Sequence, residues 1–222
     1  MNKTFNSRTG ARILVDQLLI HRVNTAFCVP GESYLAILDA FYDVQSSLKV
    51  ITCRQEGGAT YMADAYGKLT GKPGVCFVTR GPGATNASLG IHTARQDSSP
   101  VILFIGQVNR SMSNREAFQE IDFCQMYTPL CKWVAQIDDA ARIPEILARA
   151  FHIATSGRQG PVVLALPEDI QKEQATTSDA RPYQIINPSP DINSIDKLQT
   201  LLSKAQRPIL VLGGSGWDKM DF

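Results

Sequence analysis

Four short stretches of this 222-residue sequence hold residues that could do chemistry. They are Pro30-Gly31-Glu32-Ser33, Arg54-Gln55-Glu56-Gly57-Gly58-Ala59, Arg80-Gly81-Pro82-Gly83-Ala84-Thr85-Asn86 and Gly106-Gln107-Val108, and each follows a short apolar run. In the second, Gly57, Gly58 and Ala59 present almost no side chain, so a planar ring or another backbone can come close to the Glu56 carboxylate. Two readings stay open for Glu56: an acid at a helix start that complements the helix dipole, or an acid set against an apolar ligand, where burial favours the neutral form. The third stretch begins like a dinucleotide fingerprint, but Asn86 stands in place of the third glycine. The next strand-like run ends Ile105-Gly106-Gln107, without the acid that would bond a ribose. It also lacks the Gly-Lys-Ser/Thr ending of a phosphate-cradling loop, and a tight strand-to-helix connection is the plain alternative.

Other chemistries find little footing. There is no Gly-x-Ser-x-Gly nucleophile elbow. His21, His92 and His152 are scattered without metal-ligand spacing, so no metal site is expected within this sequence. Cys28, Cys53, Cys76, Cys124 and Cys131 are odd in number and include no Cys-x-x-Cys pair, which favours buried free thiols over disulfides.

The elements that must position these loops follow from periodicity. Thr9 can cap a helix with Ala11, Leu14, Val15, Leu18 and Leu19 on one face. Short apolar, β-branched runs at 25–29, 49–53, 74–79, 101–105 and 161–166 read as strands. Helical patterns at 34–43, 57–70, after Asn86 and at 143–155 alternate with them. In the 57–70 helix, Ala59, Met62, Ala63 and Tyr66 mark the expected buried face. Alternation of this kind predicts a doubly wound α/β domain with a parallel sheet covered on both faces. Ligands bind such sheets outside the carboxyl ends of the strands, so the four loops should line one edge.

From residue 171 the sequence turns polar and proline-rich, with Pro182, Pro188 and Pro190, and reads as a linker. A helix at 192–205, a strand at 208–212 and the turn Gly213-Gly214-Ser215-Gly216 then read as the start of a second α/β domain, cut at Phe222. The expected division is therefore 1–172 for the first domain, 173–190 for the linker and 191–222 for the opening of the second.

Composition is that of an ordinary globular chain, with 44% apolar residues, 19% charged residues and a formal net charge of +1. Nothing gathers Lys and Arg into a stripe, so neither nucleic acid nor a membrane surface is an expected partner. No apolar run approaches the roughly 20 residues of a membrane span. The polar first ten residues lack a signal-peptide core, and a cytoplasmic location is expected.

Taken in order, the loops resemble those of thiamine-diphosphate enzymes related to acetolactate synthase. The matching stretches are Pro30-Gly31, Arg54-Gln55-Glu56-Gly57-Gly58-Ala59, Gly81-Pro82-Gly83-Ala84-Thr85-Asn86, Gly106-Gln107-Val108, Ala117-Phe118-Gln119-Glu120 and Gly157-Arg158-Gln159-Gly160-Pro161-Val162. The resemblance covers roughly 9–171 and implies the pyrimidine-binding domain of such an enzyme. It implies that Glu56 bonds N1′ of the cofactor's aminopyrimidine and favours the imino tautomer, whose nitrogen removes the thiazolium C2 proton. It also implies that Pro30, Gly31, Thr79, Pro82 and Asn86 line the cofactor, that Gln119 is catalytic, and that Glu32, Ser33 and Phe118 lie near the substrate, a small 2-oxo acid.

Two positions depart from the usual acetolactate synthase residues. Gly31-Glu32-Ser33 stands where Gly-Gly-Ala is usual, and Glu168 stands where a lysine is usual. The family's Mg²⁺ and diphosphate motif, Gly-Asp-Gly with a downstream Asn, does not occur in this sequence. By resemblance the chain supplies half of a site completed at a subunit interface of a homo-oligomer, and alone should be inactive. FAD occurs in some relatives, and no motif here supports it. The alternative expectation is a non-catalytic binding or assembly module of the same fold.

Overall fold

A computed structural model describes residues 7–186, 189–211 and 213. The chain opens with β1 (Arg8–Thr9) and α1 (Gly10–Ile20), where the Thr9 hydroxyl accepts from the Arg12 amide at 3.2 Å and caps the helix as expected. There follow β2 (Thr25–Cys28), α2 (Leu35–Tyr42), β3 (Lys49–Thr52), α3 (Glu56–Thr70), β4 (Gly74–Val78), α4 (Gly81–Gln96) and β5 (Val101–Gln107). Then come α5 (Phe123–Tyr127), β6 (Trp133–Gln136), α6 (Ile143–Thr155), β7 (Val162–Pro167), α7 (Glu168–Lys172), β8 (Gln174–Ala175) and α8 (Ile192–Lys204).

Six strands form one parallel sheet in the order β3-β2-β4-β5-β7-β6. The strands alternate their side chains between two buried layers, which is why both faces need cover. Val75, Phe77, Ile102 and Phe104 pack under α1, α2 and α6. Cys76, Val78, Leu103 and Ile105 pack under α3, α4 and α5. This is the doubly wound α/β architecture that the periodicity predicts. The chain runs outward from β2 to β3, then crosses back to β4 and continues the other way. The topological switch point therefore lies between β2 and β4, where the loops after those strands part and leave a crevice.

The structure corrects several local expectations. α4 begins at Gly81 rather than after Asn86, because Pro82 in the first turn forgoes an amide that has no helical partner there. β5 runs on through Gly106 and Gln107, paired with Leu166 and Pro167, so those two residues are strand rather than loop. β6 was not anticipated; it is a short edge strand, each residue half-buried, with no apolar alternation to mark it. Met62 is 42% exposed, because α3 turns its small residues Gly57, Thr60 and Gly67 inward. Residues 208–211 are exposed and form no strand. A strand needs a ladder partner for its backbone groups, and among the described residues none pairs there. Leu212 and the rest of the glycine turn, Gly214-Ser215-Gly216, lie outside the described residues.

Part of the proline-rich stretch packs back on the first unit. β8 pairs antiparallel with β1. Asp179 accepts from Arg8 and from Gln17, each at 2.7 Å, and Gln17 Oε1 takes the Ala180 amide at 3.1 Å. Tyr183 stacks on Phe151 at 5.2 Å and donates its amide to Nδ1 of His21 at 3.2 Å. His21 in turn stacks on Phe151 at 4.5 Å and is 2% exposed, and burial pushes its pKa down to about 4. A folded-state value below the unfolded 6.5 means folding favours the neutral ring. The contribution is thus intact above pH 6.5 and is lost as pH falls toward 4, by about 3 kcal/mol at most. Denaturant melts between those pH values are expected to show this slope and to lose it in His21→Gln; an unchanged slope in that variant would assign the effect elsewhere.

Candidate functional site

The site is assembled at the carboxyl edge of the sheet from the loops that follow β2, β3 and β4. Glu56 opens α3. Gln55 precedes it in extended backbone, and its side-chain oxygen accepts the Gly58 amide at 2.8 Å, which fixes the start of the helix. The Glu56 carboxylate is half-buried, and one of its oxygens accepts from Asn86 Nδ2 at 3.0 Å. Its other oxygen lies beside Gly83: a Cβ built there would sit 3.5 Å from Glu56 Oε1 and 2.9 Å from the Thr79 methyl. Gly83 thus keeps a small surface open between the carboxylate and the end of β4.

Thr60, one turn along α3, seats this helix against α4. Its hydroxyl donates to carbonyls of its own helix and lies 3.1 Å from the Ala87 carbonyl, with Gly90 packed flush against it. The close helix contact holds Asn86 in reach of Glu56.

Across the switch point, Gly31 approaches Thr79 so closely that a Cβ would lie 2.6 Å from its Cβ. Ser33 is fully buried and shares a hydrogen bond with the Thr79 hydroxyl at 2.9 Å. Tyr34, also fully buried, donates to the Val29 carbonyl, and burial raises its pKa. Pro30 and Pro82 stand exposed on either side of this crevice.

Phe118 and Gln119 belong to a loop between β5 and α5. Asn114, Glu116 and Gln119 all hold left-handed backbone, with φ of 62°, 52° and 64°, each costing on the order of 1–3 kcal/mol and persisting only because its surroundings impose it. The Glu120 carboxylate accepts the amides of Asn114 at 2.7 Å and Ala117 at 3.0 Å, bonds that lower its pKa and hold the loop from inside. Gly81 donates its amide to the Gln119 carbonyl at 3.0 Å, and the Phe118 side chain is 71% exposed. A cavity of about 590 Å³ lies under this loop, lined by Gln107, Asn114, Glu120, Asp122 and Cys124 among others; Glu56 is not on its wall.

The structure therefore joins Gly31, Ser33 and Thr79 in one set of contacts and Glu56 and Asn86 in another, with Gly83 between the two sets, and ties the Gln119 main chain to Gly81. One residue of the candidate loops carries a part that the sequence reading does not assign. Arg80, 9% exposed, pairs through Nη2 with Glu168, lies 3.5 Å from Glu32 through Nη1, and donates from Nη1 to the Phe118 carbonyl at 3.3 Å. The signal available was a cation directly after a strand together with two unexpected acids, Glu32 and Glu168.

An orientable carboxylate, an amide side chain fixing one of its oxygens, and glycine-cleared space beside the other match the donor and acceptor needs of an aminopyrimidine, so the residues fit that ring. Among the described residues no group of His, Cys, Asp and Glu could hold a metal. No helix among them is long and apolar enough to cross a membrane.

A crevice of this kind, at the switch point of a doubly wound α/β sheet, is where such domains bind their ligands. The chain belongs to the family of thiamine pyrophosphate enzyme, N-terminal TPP binding domains, whose model matches residues 8–126, just over half of its length. It is 41% identical over 214 residues to the acetolactate synthase large subunit of Parasynechococcus marenigrum (strain WH8102), covering 93% of this chain and 35% of that protein. It is 39% identical over 214 residues to the acetolactate synthase of Arthrospira platensis, with 93% and 37% covered. Against acetolactate synthase isozyme 2 large subunit of Escherichia coli (strain K12), identity is 36% over 211 residues, with 92% and 37% covered. The chain spans about a third of the length of these curated relatives.

Proposed function

We propose that this chain is the pyrimidine-binding part of a thiamine-diphosphate enzyme that decarboxylates or ligates 2-oxo acids. The observation that carries this reading is the Glu56–Asn86 pair beside Gly83 at the switch point, in a chain of the thiamine pyrophosphate family. Glu56 is the carboxyl group that holds a proton against the pyrimidine ring, and Asn86 orients it. Pro30, Gly31, Thr79 and Pro82 shape the ring's pocket. Gln119 is the catalytic polar group on the substrate side, where Glu32 and Phe118 border the 2-oxo acid; Ser33, fully buried, supports that side from beneath through its bond to Thr79 and does not itself meet the substrate. When bound, thiamine diphosphate supplies the carbon nucleophile that this chemistry requires.

In the same proposal residues 1–172 form the pyrimidine domain, 173–190 a linker and 191–222 the opening of a second domain. The diphosphate and Mg²⁺ are held by a further domain of a neighbouring subunit in a cytoplasmic homo-oligomer. Flavin is not part of the proposal. The full-length protein should then turn over a 2-oxo acid only when thiamine diphosphate and Mg²⁺ are both supplied. The isolated 222-residue chain should bind thiamine diphosphate more weakly than about 1 μM, that is by less than about 8 kcal/mol. Submicromolar binding in calorimetry would refute the half-site, and absence of any cofactor-dependent turnover in the full-length protein would refute the enzyme.

A further inference from the structure

Arg80 stands where three parts of the site edge meet. It caps α4 from the end of β4, while Glu32 follows β2 and Glu168 opens α7 after β7. Its guanidinium touches both acids and the Phe118 carbonyl. The next residue, Gly81, donates its amide to the Gln119 carbonyl, and a Cβ on Gly81 would lie 2.9 Å from that oxygen. The cap of α4 and its first residue therefore grip two successive carbonyls of the loop. Three residues of that loop hold left-handed backbone, which persists only where neighbours over-determine it. The first turn of α4 carries Gly83 and the next turn carries Asn86, the two neighbours of Glu56 on this helix. It is a rigid bridge with the carboxylate at one side and Gln119 at the other.

The grip depends on charge. Arg80 is nine-tenths buried and its Nε has no partner among the described residues. Its Nη2 pairs with Glu168, which is itself one-third exposed, while the Glu32 side chain is 66% exposed. A buried guanidinium that loses its carboxylate is strongly destabilised, whereas replacing both partners by apolar groups is far better tolerated. The pair can thus be removed without leaving a stranded charge, which separates its effect on the loop from its effect on folding.

We propose that Arg80, clamped between Glu168 and Glu32, is a positioning residue that fixes the Phe118–Gln119 main chain against the first turn of α4 and so sets where Gln119 stands relative to Glu56. The inference rests on the reading of this edge as a 2-oxo acid site, and its test is built to fail separately from that reading. In the full-length protein, Glu168→Met, which strands the buried Arg80 guanidinium, should lower both thermal stability and turnover. The double variant Arg80→Met with Glu168→Met should recover most of the stability while KM for the 2-oxo acid stays raised by about tenfold. Thiamine diphosphate affinity, which reports on Glu56 and Asn86, should stay at the wild-type value. Hydrogen exchange should rise about tenfold at residues 114–120 in the double variant, with α3 and α4 unchanged. Wild-type KM together with unchanged exchange at 114–120 in the double variant overturns the proposal, and so does an equal loss of cofactor affinity. If the wild-type protein turns over no 2-oxo acid, the functional reading fails, and the exchange measurement still decides whether Arg80 fixes the loop.

Discussion

Glu56→Gln in the full-length protein is expected to lower kcat for thiamine-dependent turnover of a 2-oxo acid by about a hundredfold or more, at saturating cofactor. The substitution preserves shape and leaves an oxygen to accept from Asn86, whose Nδ2 lies 3.0 Å from Glu56 Oε2. In the proposed role, what it removes is the ionisable carboxyl that exchanges a proton with a ring nitrogen of the cofactor. Stability should move little. Among the described residues Glu56 enters no ion pair, so no charge is stranded, and the favourable placement of an acid at the first turn of α3 contributes only about 0.3–1 kcal/mol. Asn86→Ala is the graded companion: the proton remains but its carrier is no longer aimed, and a smaller loss, on the order of tenfold, is expected. The order of the two effects is the informative result. A larger loss for Asn86→Ala than for Glu56→Gln would place the chemistry on the amide, and unchanged turnover in Glu56→Gln would remove the carboxylate from the mechanism.

How far the sequence shows this site depends on how each part is stabilised. β4, β5 and β7 are buried on both faces, so their residues are nearly all apolar and the runs stand out. β6 has a partner on one side only and half-buried residues throughout, so no apolar period was imposed on it. The glycine and proline residues that begin α4 hide a helix start behind the composition of a turn. Glu56 and Asn86 are 30 residues apart; their own loops leave the role of each open, and it is the family resemblance of the ordered loops that makes both of them site residues. The role of Arg80 is unassigned in the sequence for another reason. Its carboxylates come from loops after β2 and β7, which are separated in the sheet by β4 and β5. Only a long side chain leaving β4 reaches both, a fact of three-dimensional spacing that no local pattern carries. Without that guanidinium, Glu32 and Glu168 read as uncompensated charges at the site, whereas the fold makes them ligands of a buried cation.

Gly106→Ala should have the largest effect on stability of a single added methyl group near the site, lowering it by about 3 kcal/mol. A Cβ at Gly106 would lie 2.7 Å from the Ser33 Cβ and 2.8 Å from the Ser33 carbonyl oxygen, and nearer still to the Ser33 hydroxyl. Ser33 cannot yield cheaply. It is fully buried, its hydroxyl bonds Thr79 at 2.9 Å, and its carbonyl accepts from the buried Gln171 side chain at 2.7 Å. Gly106 is also fixed in the sheet by pairing with Leu166. The clash therefore has to be absorbed by the β2 loop, at the expense of two buried hydrogen bonds. Because most of the obstruction is the Ser33 side chain, Ser33→Gly, destabilising by itself through the loss of the Thr79 bond, should become stabilising when combined with Gly106→Ala. It should return more than half of the lost midpoint in urea, with an unchanged denaturant slope. Additive losses in the double variant would mean that the added methyl is accommodated by strand movement rather than resisted by Ser33. In that case the tight seam between β5 and the β2 loop would not be what holds Gly31 against Thr79.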